Sequence, residues 1–128
     1  MNRTALRTLA QAGTAVAALF ILYATLAPSP AHPRWLPDWG AHFLLFAILG
    51  VPAALWYATS AGARRTPQRL LAMAILGLWL FGGLTEVAQG PVGRDPELSD
   101  WAWDVVGAVA GFVAGGALWR LLLGRLPR

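Results

Sequence analysis

The sequence predicts an all-α, polytopic membrane protein: a four-helix transmembrane bundle with both termini on the cytoplasmic side. Three observations carry that prediction. Four stretches are long and apolar enough to cross a bilayer, because a ~30 Å hydrocarbon core needs about 20 residues at 1.5 Å rise. Only 12% of the 128 residues are charged against 57% hydrophobic, and a soluble domain of this size has too little interior to hide that much apolar surface. The connections are short, so neighbouring helices run antiparallel and residues 1–128 read as a single domain.

The first stretch runs from about Thr8 to Ala27 and stops at Pro28-Ser29-Pro30, where proline cannot continue a helix. Arg3 and Arg7 give it the look of a signal peptide, with Ser29-Pro30-Ala31 as a small-residue site. The apolar run is longer than the usual hydrophobic region of a signal, and proline disfavours cleavage there, so it reads as a retained anchor. The second stretch runs from about Trp39 to Thr59, the third from Leu70 to Ala88 and the fourth from Trp101 to Leu123. The linkers are Pro28 to Pro37, Ser60 to Gln68 and Gln89 to Asp100.

Orientation follows from the arginines, which are all ten of the basic residues. Arg3 and Arg7, then Arg64, Arg65 and Arg69, then Arg120, Arg125 and Arg128 fall on one side of an antiparallel bundle. The positive-inside rule makes that side cytoplasmic. Arg34 and Arg94 are left on the other, with all six carboxylates at or near that end. The net charge of +4 therefore anchors topology against lipid headgroups and does not point to nucleic acid. Tryptophans fit the same frame: Trp35, Trp39, Trp101 and Trp103 near the outer interface, Trp56 and Trp119 near the inner one, and Trp79 in a packing role. With no cysteine there is no disulfide, thiolate metal site or cysteine nucleophile.

Five of the six acidic residues lie between Thr85 and Gly111, a polar hairpin between two membrane-spanning runs. Glu86 and Gln89 sit at i and i+3 near the outer end of the third helix. A carboxylate there faces a partner or water, and Arg94 and His42 are its candidates. Turn residues Gly90-Pro91-Val92-Gly93 bring the planar fork of Arg94 back over the bundle. Asp38 is expected to cap the second helix and, four residues before His42, to orient its imidazole. Ser99-Asp100 is expected to cap the fourth. Asp100, Asp104, Gly107 and Gly111 share one face at spacings of four, three and four. Gly107, Gly111 and Gly115 form small-xxx-small steps for close helix approach. Asp104, inside the helix, needs a partner, again Arg94 or His42. A metal site built from His42, Asp38, Glu86 and Asp104 would have one histidine and no sulfur, so neither a metal nor a cofactor is expected.

This ordered set resembles the VanZ-like family of small bacterial membrane proteins. The motifs are Asp-x3-His-Phe at Asp38, His42 and Phe43; Glu-x2-Gln at Glu86 and Gln89; Arg94; then Ser99, Asp100, position 104, Gly107 and Gly111. They cover Asp38 to about Gly116, most of the chain. Two positions depart from the family pattern: Trp39 stands where members often carry Lys, and Asp104 where they usually carry Asn. The second adds a carboxylate to the cluster. The resemblance implies a multi-pass protein of the bacterial cytoplasmic membrane and a link to low-level glycopeptide (teicoplanin) resistance.

Three functions compete. The first is an outward polar site that binds an envelope lipid headgroup, a cell-wall precursor or a glycopeptide, using Asp38, His42, Glu86, Gln89, Arg94, Asp100 and Asp104. The second is an intramembrane enzyme on an envelope lipid or glycan, with His42 as general base, Glu86 or Asp104 as acid partner and Arg94 stabilising an anion. It requires these side chains to converge. The third is structural, the polar set locking the helices together or serving a partner protein.

Overall fold

The computed structural model describes residues 3–27, 32–60 and 67–123. These fold into four helices: α1 (Arg3–Leu26), α2 (Asp38–Thr59), α3 (Pro67–Gln89) and α4 (Leu98–Leu118). A short 3-10 turn, Gly90–Val92, follows α3, and α4 widens into a π turn over Trp119–Leu123. All four helices are long and apolar enough to cross a membrane. At 1.5 Å per residue, the 24 residues of α1 reach about 36 Å. Arg64, Arg65, Arg125 and Arg128, expected on the cytoplasmic side, and the Ser29-Pro30-Ala31 segment lie outside the described residues.

Each helix begins before the expected position. The expected start of α1 at Thr8 is corrected to Arg3. Arginine is a good helix former, and its stem lets the guanidinium stay in water while the backbone enters the apolar layer. The Arg3 guanidinium lies 5.9 Å from the centre of the Trp119 ring, so the start of α1 and the end of α4 share one end of the bundle. α3 starts at Pro67, three residues before Leu70, with proline in its favoured first-turn place.

The two expected caps are also corrected. Pro37, extended at φ −66° and ψ 152°, is the N-cap of α2, and its carbonyl accepts from the N–H groups of Gly40 and Ala41. Asp38 is therefore the first helical residue, where its charge favours the positive end of the helix without capping it. Glu97 is the N-cap of α4, its carbonyl accepting from Asp100 and Trp101. Ser99 and Asp100 thus sit inside the first turn.

The centre of the bundle is the α2–α4 seam. A Cβ on Gly107 or Gly111 would collide with the backbone carbonyls of Phe43 and Ala47, and one on Gly115 would lie 2.6 Å from the Val51 oxygen. From the other side, a Cβ on Gly50 would lie 2.5 Å from the Ala108 oxygen. Lipid offers no hydrophobic drive for helix association, so backbone contact through small residues must supply it. The expected small-residue steps therefore do pack the bundle. Along the same turns, Phe46, Leu49 and Ala108 join Ile21 of α1 in the apolar core, with Phe81 against Phe46 at 5.8 Å between ring centres. α3 packs more loosely, and Met73, Leu84 and Val87 stay exposed as a lipid-facing surface. With α4 held so tightly to α2, Asp104 is brought directly opposite His42.

Candidate functional site

Helix register fixes the site. Gly107 packs on Phe43, so one turn earlier on α4 Asp104 meets His42, the neighbour of Phe43. His42 Nδ1 and Asp104 Oδ1 are 2.9 Å apart. Asp100, four residues before Asp104, places Oδ2 3.5 Å from the other ring nitrogen, Nε2. From α3, Glu86 Oε1 lies 3.7 Å from Nδ1. One imidazole is thus surrounded by three carboxylates drawn from two helices. All three acids are buried, and Asp104 is fully so at 0% exposure.

The second layer holds these carboxylates in place. The Glu97 backbone N–H donates to Glu86 Oε2 at 3.1 Å, and the Gln89 amide donates to Glu86 Oε1 at 3.2 Å. Glu97 is the cap of α4, so this bond ties the start of α4 to the end of α3. Gly82 makes room for Asp104: a Cβ there would lie 3.3 Å from Asp104 Cβ and 3.4 Å from Oδ2. Asp104 Oδ2 is buried with no hydrogen-bond partner. A nitrogen of His42 and one oxygen each of Glu86 and Asp104 all lie within 4.8 Å of one another.

His42 also faces the other way, onto a cleft of about 210 Å³. The cleft runs between the C-terminal part of α1, the loop before α2, α2 itself and the end of α3. Its rim is polar, with His32, Asp38, His42, Gln89 and Arg94. Its lower wall is apolar, built from Phe20, Ile21, Leu44, Leu45 and Phe46. The αL glycine Gly93 (φ 79°) ends the 3-10 turn and turns the chain so that Arg94 reaches this rim. The Arg94 guanidinium stands 3.9 Å from Asp38 Oδ1.

The expectations for individual residues divide accordingly. Of the two candidates, His42 is the partner of both Glu86 and Asp104. Arg94 is drawn to Asp38, because the αL turn throws it toward the α1–α2 side of the bundle. The expected Asp38–His42 pair is corrected: Asp38 Oδ1 is bonded to His32 Nε2 at 2.6 Å, and Asp104 orients His42. With Asp38 in the first turn rather than capping, its exposed carboxylate swings back toward the preceding loop. The Trp79 ring packs, as expected, tilted against Trp101 at 4.8 Å between ring centres, and the Trp79 backbone carbonyl accepts the Trp101 indole N–H at 3.1 Å. Trp39 and Trp103 pair at 4.9 Å between ring centres.

Two rim residues were not singled out from the sequence. His32 lies in a proline-rich linker, and its only signal was being the second histidine, six residues before an aspartate. Thr85 is 1% exposed, lines the cleft and donates to the Gly82 carbonyl, which looks like ordinary helix back-bonding from the sequence. In comparisons with known proteins, no family model, curated protein or solved structure matches the chain.

Proposed function

We propose that this is a VanZ-like protein of the bacterial cytoplasmic membrane, with both termini in the cytoplasm, that binds the anionic headgroup of an envelope lipid in the cleft beside His42. One observation carries the reading: the cleft joins a polar rim to an apolar wall. Arg94, His32 and Gln89 offer donors to phosphate oxygens, and Phe20, Leu44 and Leu45 offer a surface to the first carbons of an acyl chain. Size discriminates among ligands. At about 210 Å³ the cleft is smaller than the roughly 300–1,000 Å³ of sites that enclose a drug-sized ligand. A lipid phosphate or the phosphate end of a lipid-linked cell-wall precursor suits it; a whole glycopeptide does not. A glycopeptide-resistance phenotype would then arise through the bound lipid or precursor.

The test is a titration of the detergent-purified protein with phosphatidylglycerol and, separately, phosphatidylcholine, followed by thermal shift. The anionic lipid should saturate and the zwitterionic one should not. Arg94→Ala should weaken binding about 10- to 100-fold, the effect of losing a hydrogen bond worth roughly 1.5–3 kcal/mol to a charged group. Equal responses to the two lipids, or an unaffected Arg94→Ala protein, would refute the proposal.

A second reading is acid–base chemistry on the bound headgroup, favoured by the convergence of His42 with Asp104 and Glu86. Among the described residues no serine or cysteine is bonded to His42, so water or a carboxylate would be the nucleophile. His42→Ala should then bind lipid but abolish product formation seen by mass spectrometry; absence of any product from the wild type would dismiss it.

A further inference from the structure

We infer that His42, Glu86 and Asp104 form a binding site for a divalent transition-metal cation of the zinc or manganese class. The site lies behind the cleft and goes beyond the headgroup reading, since Glu86 and Asp104 do not line the cleft.

The first argument is charge. Glu86, Asp100 and Asp104 bring three carboxylates around one imidazole inside a membrane-spanning bundle. Even a protonated imidazole leaves two negative charges over. Among the described residues, His42 is the one cationic partner within 4.0 Å of these three carboxylates; Arg94 stands 3.9 Å from Asp38 and acts on Asp100 only from farther away. Buried carboxylates either take up protons or are matched by a counter-charge, and a cation at the cluster supplies the second.

The second argument is the orphaned oxygen. Asp104 is fully buried, yet its Oδ2 has no hydrogen-bond partner. An ionised carboxylate so enclosed forfeits the solvation of that oxygen. A cation at the cluster held by both oxygens of Asp104 gives Oδ2 the partner it lacks while Oδ1 faces His42.

The third argument is geometry. A tetrahedral zinc with ligand bonds of roughly 2.0–2.1 Å has ligand–ligand edges of about 3.3–3.4 Å. The Nδ1–Oδ1 and Nδ1–Oε1 separations, 2.9 and 3.7 Å, straddle that value. The outer layer is the one such a site needs. With Nδ1 on the cation, Nε2 carries the ring proton, and Asp100 Oδ2 stands 3.5 Å from it as an outer-layer carboxylate. Glu86 is steadied by the Glu97 N–H and the Gln89 amide, leaving Oε1 facing His42. One histidine and two carboxylates leave a coordination position for water or a substrate oxygen.

The experiment is isothermal titration of chelator-stripped, detergent-purified protein with ZnCl2 and with MnCl2, paired with thermal melts. One equivalent per chain should bind, and the melting temperature should rise. Asp104→Asn keeps the side-chain shape and removes one of the three negative charges, so its metal-free melt should equal or exceed that of the wild type while its metal affinity falls more than tenfold. Asp100→Asn should weaken binding about 10- to 100-fold, as loss of an outer-layer partner does. Asp95→Asn, in the exposed loop, should bind like the wild type. A Co2+ titration of the wild type adds a readout that needs no variant: visible absorption bands should appear at one equivalent. Absence of saturable binding in the wild type, or undiminished affinity in Asp104→Asn, overturns the site. If lipid binding fails while zinc binds, the headgroup reading falls and this one stands.

Discussion

Two neighbouring glycines near the end of α4 give a matched test of the helix seam. A Cβ on Gly115 would lie 2.6 Å from the Val51 carbonyl oxygen and 2.9 Å from Ala54 Cβ; one on Gly116 meets nothing within 4 Å. Carbon–carbon contacts are comfortable at about 3.5–4.0 Å, so Gly115→Ala forces α2 and α4 apart by roughly 0.6 Å or more at this point. Overpacking of this kind costs about 1–3 kcal/mol. Both substitutions gain the same helix propensity, about 1 kcal/mol, so that gain cancels in the comparison. Gly115→Ala should therefore be less stable than Gly116→Ala by about 1–3 kcal/mol. Reversible unfolding in mixed micelles, followed by circular dichroism, measures that difference. Equal stabilities, or a more stable Gly115→Ala, would refute backbone contact as the basis of the seam.

Other outcomes follow from the polar end. A double-mutant cycle between His42→Ala and Asp104→Ala should show a coupling of about 0.5–3 kcal/mol, and one between His42→Ala and Asp38→Ala about none. The reverse order would restore Asp38 as the orienting group. Glu86→Ala strands the Glu97 N–H and the Gln89 amide and should cost about 1–3 kcal/mol in a detergent melt. Glu97→Ala, on an exposed side chain, should stay within about 0.5 kcal/mol, and comparable losses would contradict the placement of Glu86. Trp101→Phe removes the indole bond to the Trp79 carbonyl and should cost about 0.5–1.5 kcal/mol. No loss would mean that the bond adds nothing to stability.

What could be read from the chain, and what could not, divides along physical lines. Apolar length found all four helices, because spanning a bilayer is a requirement on a single segment. The glycines at 107, 111 and 115 were legible for a related reason: a repeat of four lies on one helix face whatever the partner is. Cap positions were misread at Asp38 and Ser99-Asp100. A capping residue type is only a preference, and here the backbone carbonyls of Pro37 and Glu97 open the helices one and two residues earlier. The His42–Asp104 contact joins residues 62 apart. The sequence narrowed the partner of Asp104 to His42 or Arg94, but only the α2–α4 register chooses between them. Arg94 went elsewhere because a single αL glycine set its direction, and His32 entered the rim through its contact with Asp38. Neither is a periodic signal.

The account rests on the polar cluster opening to the side opposite the inner arginines. The chain has no cysteine, so single reporters at Asp95 and Ser60 can be labelled in intact cells with a membrane-impermeant maleimide. Labelling of Asp95→Cys without permeabilisation, with Ser60→Cys labelled only after it, is the expected result. Labelling of Asp95→Cys only after permeabilisation would contradict the account.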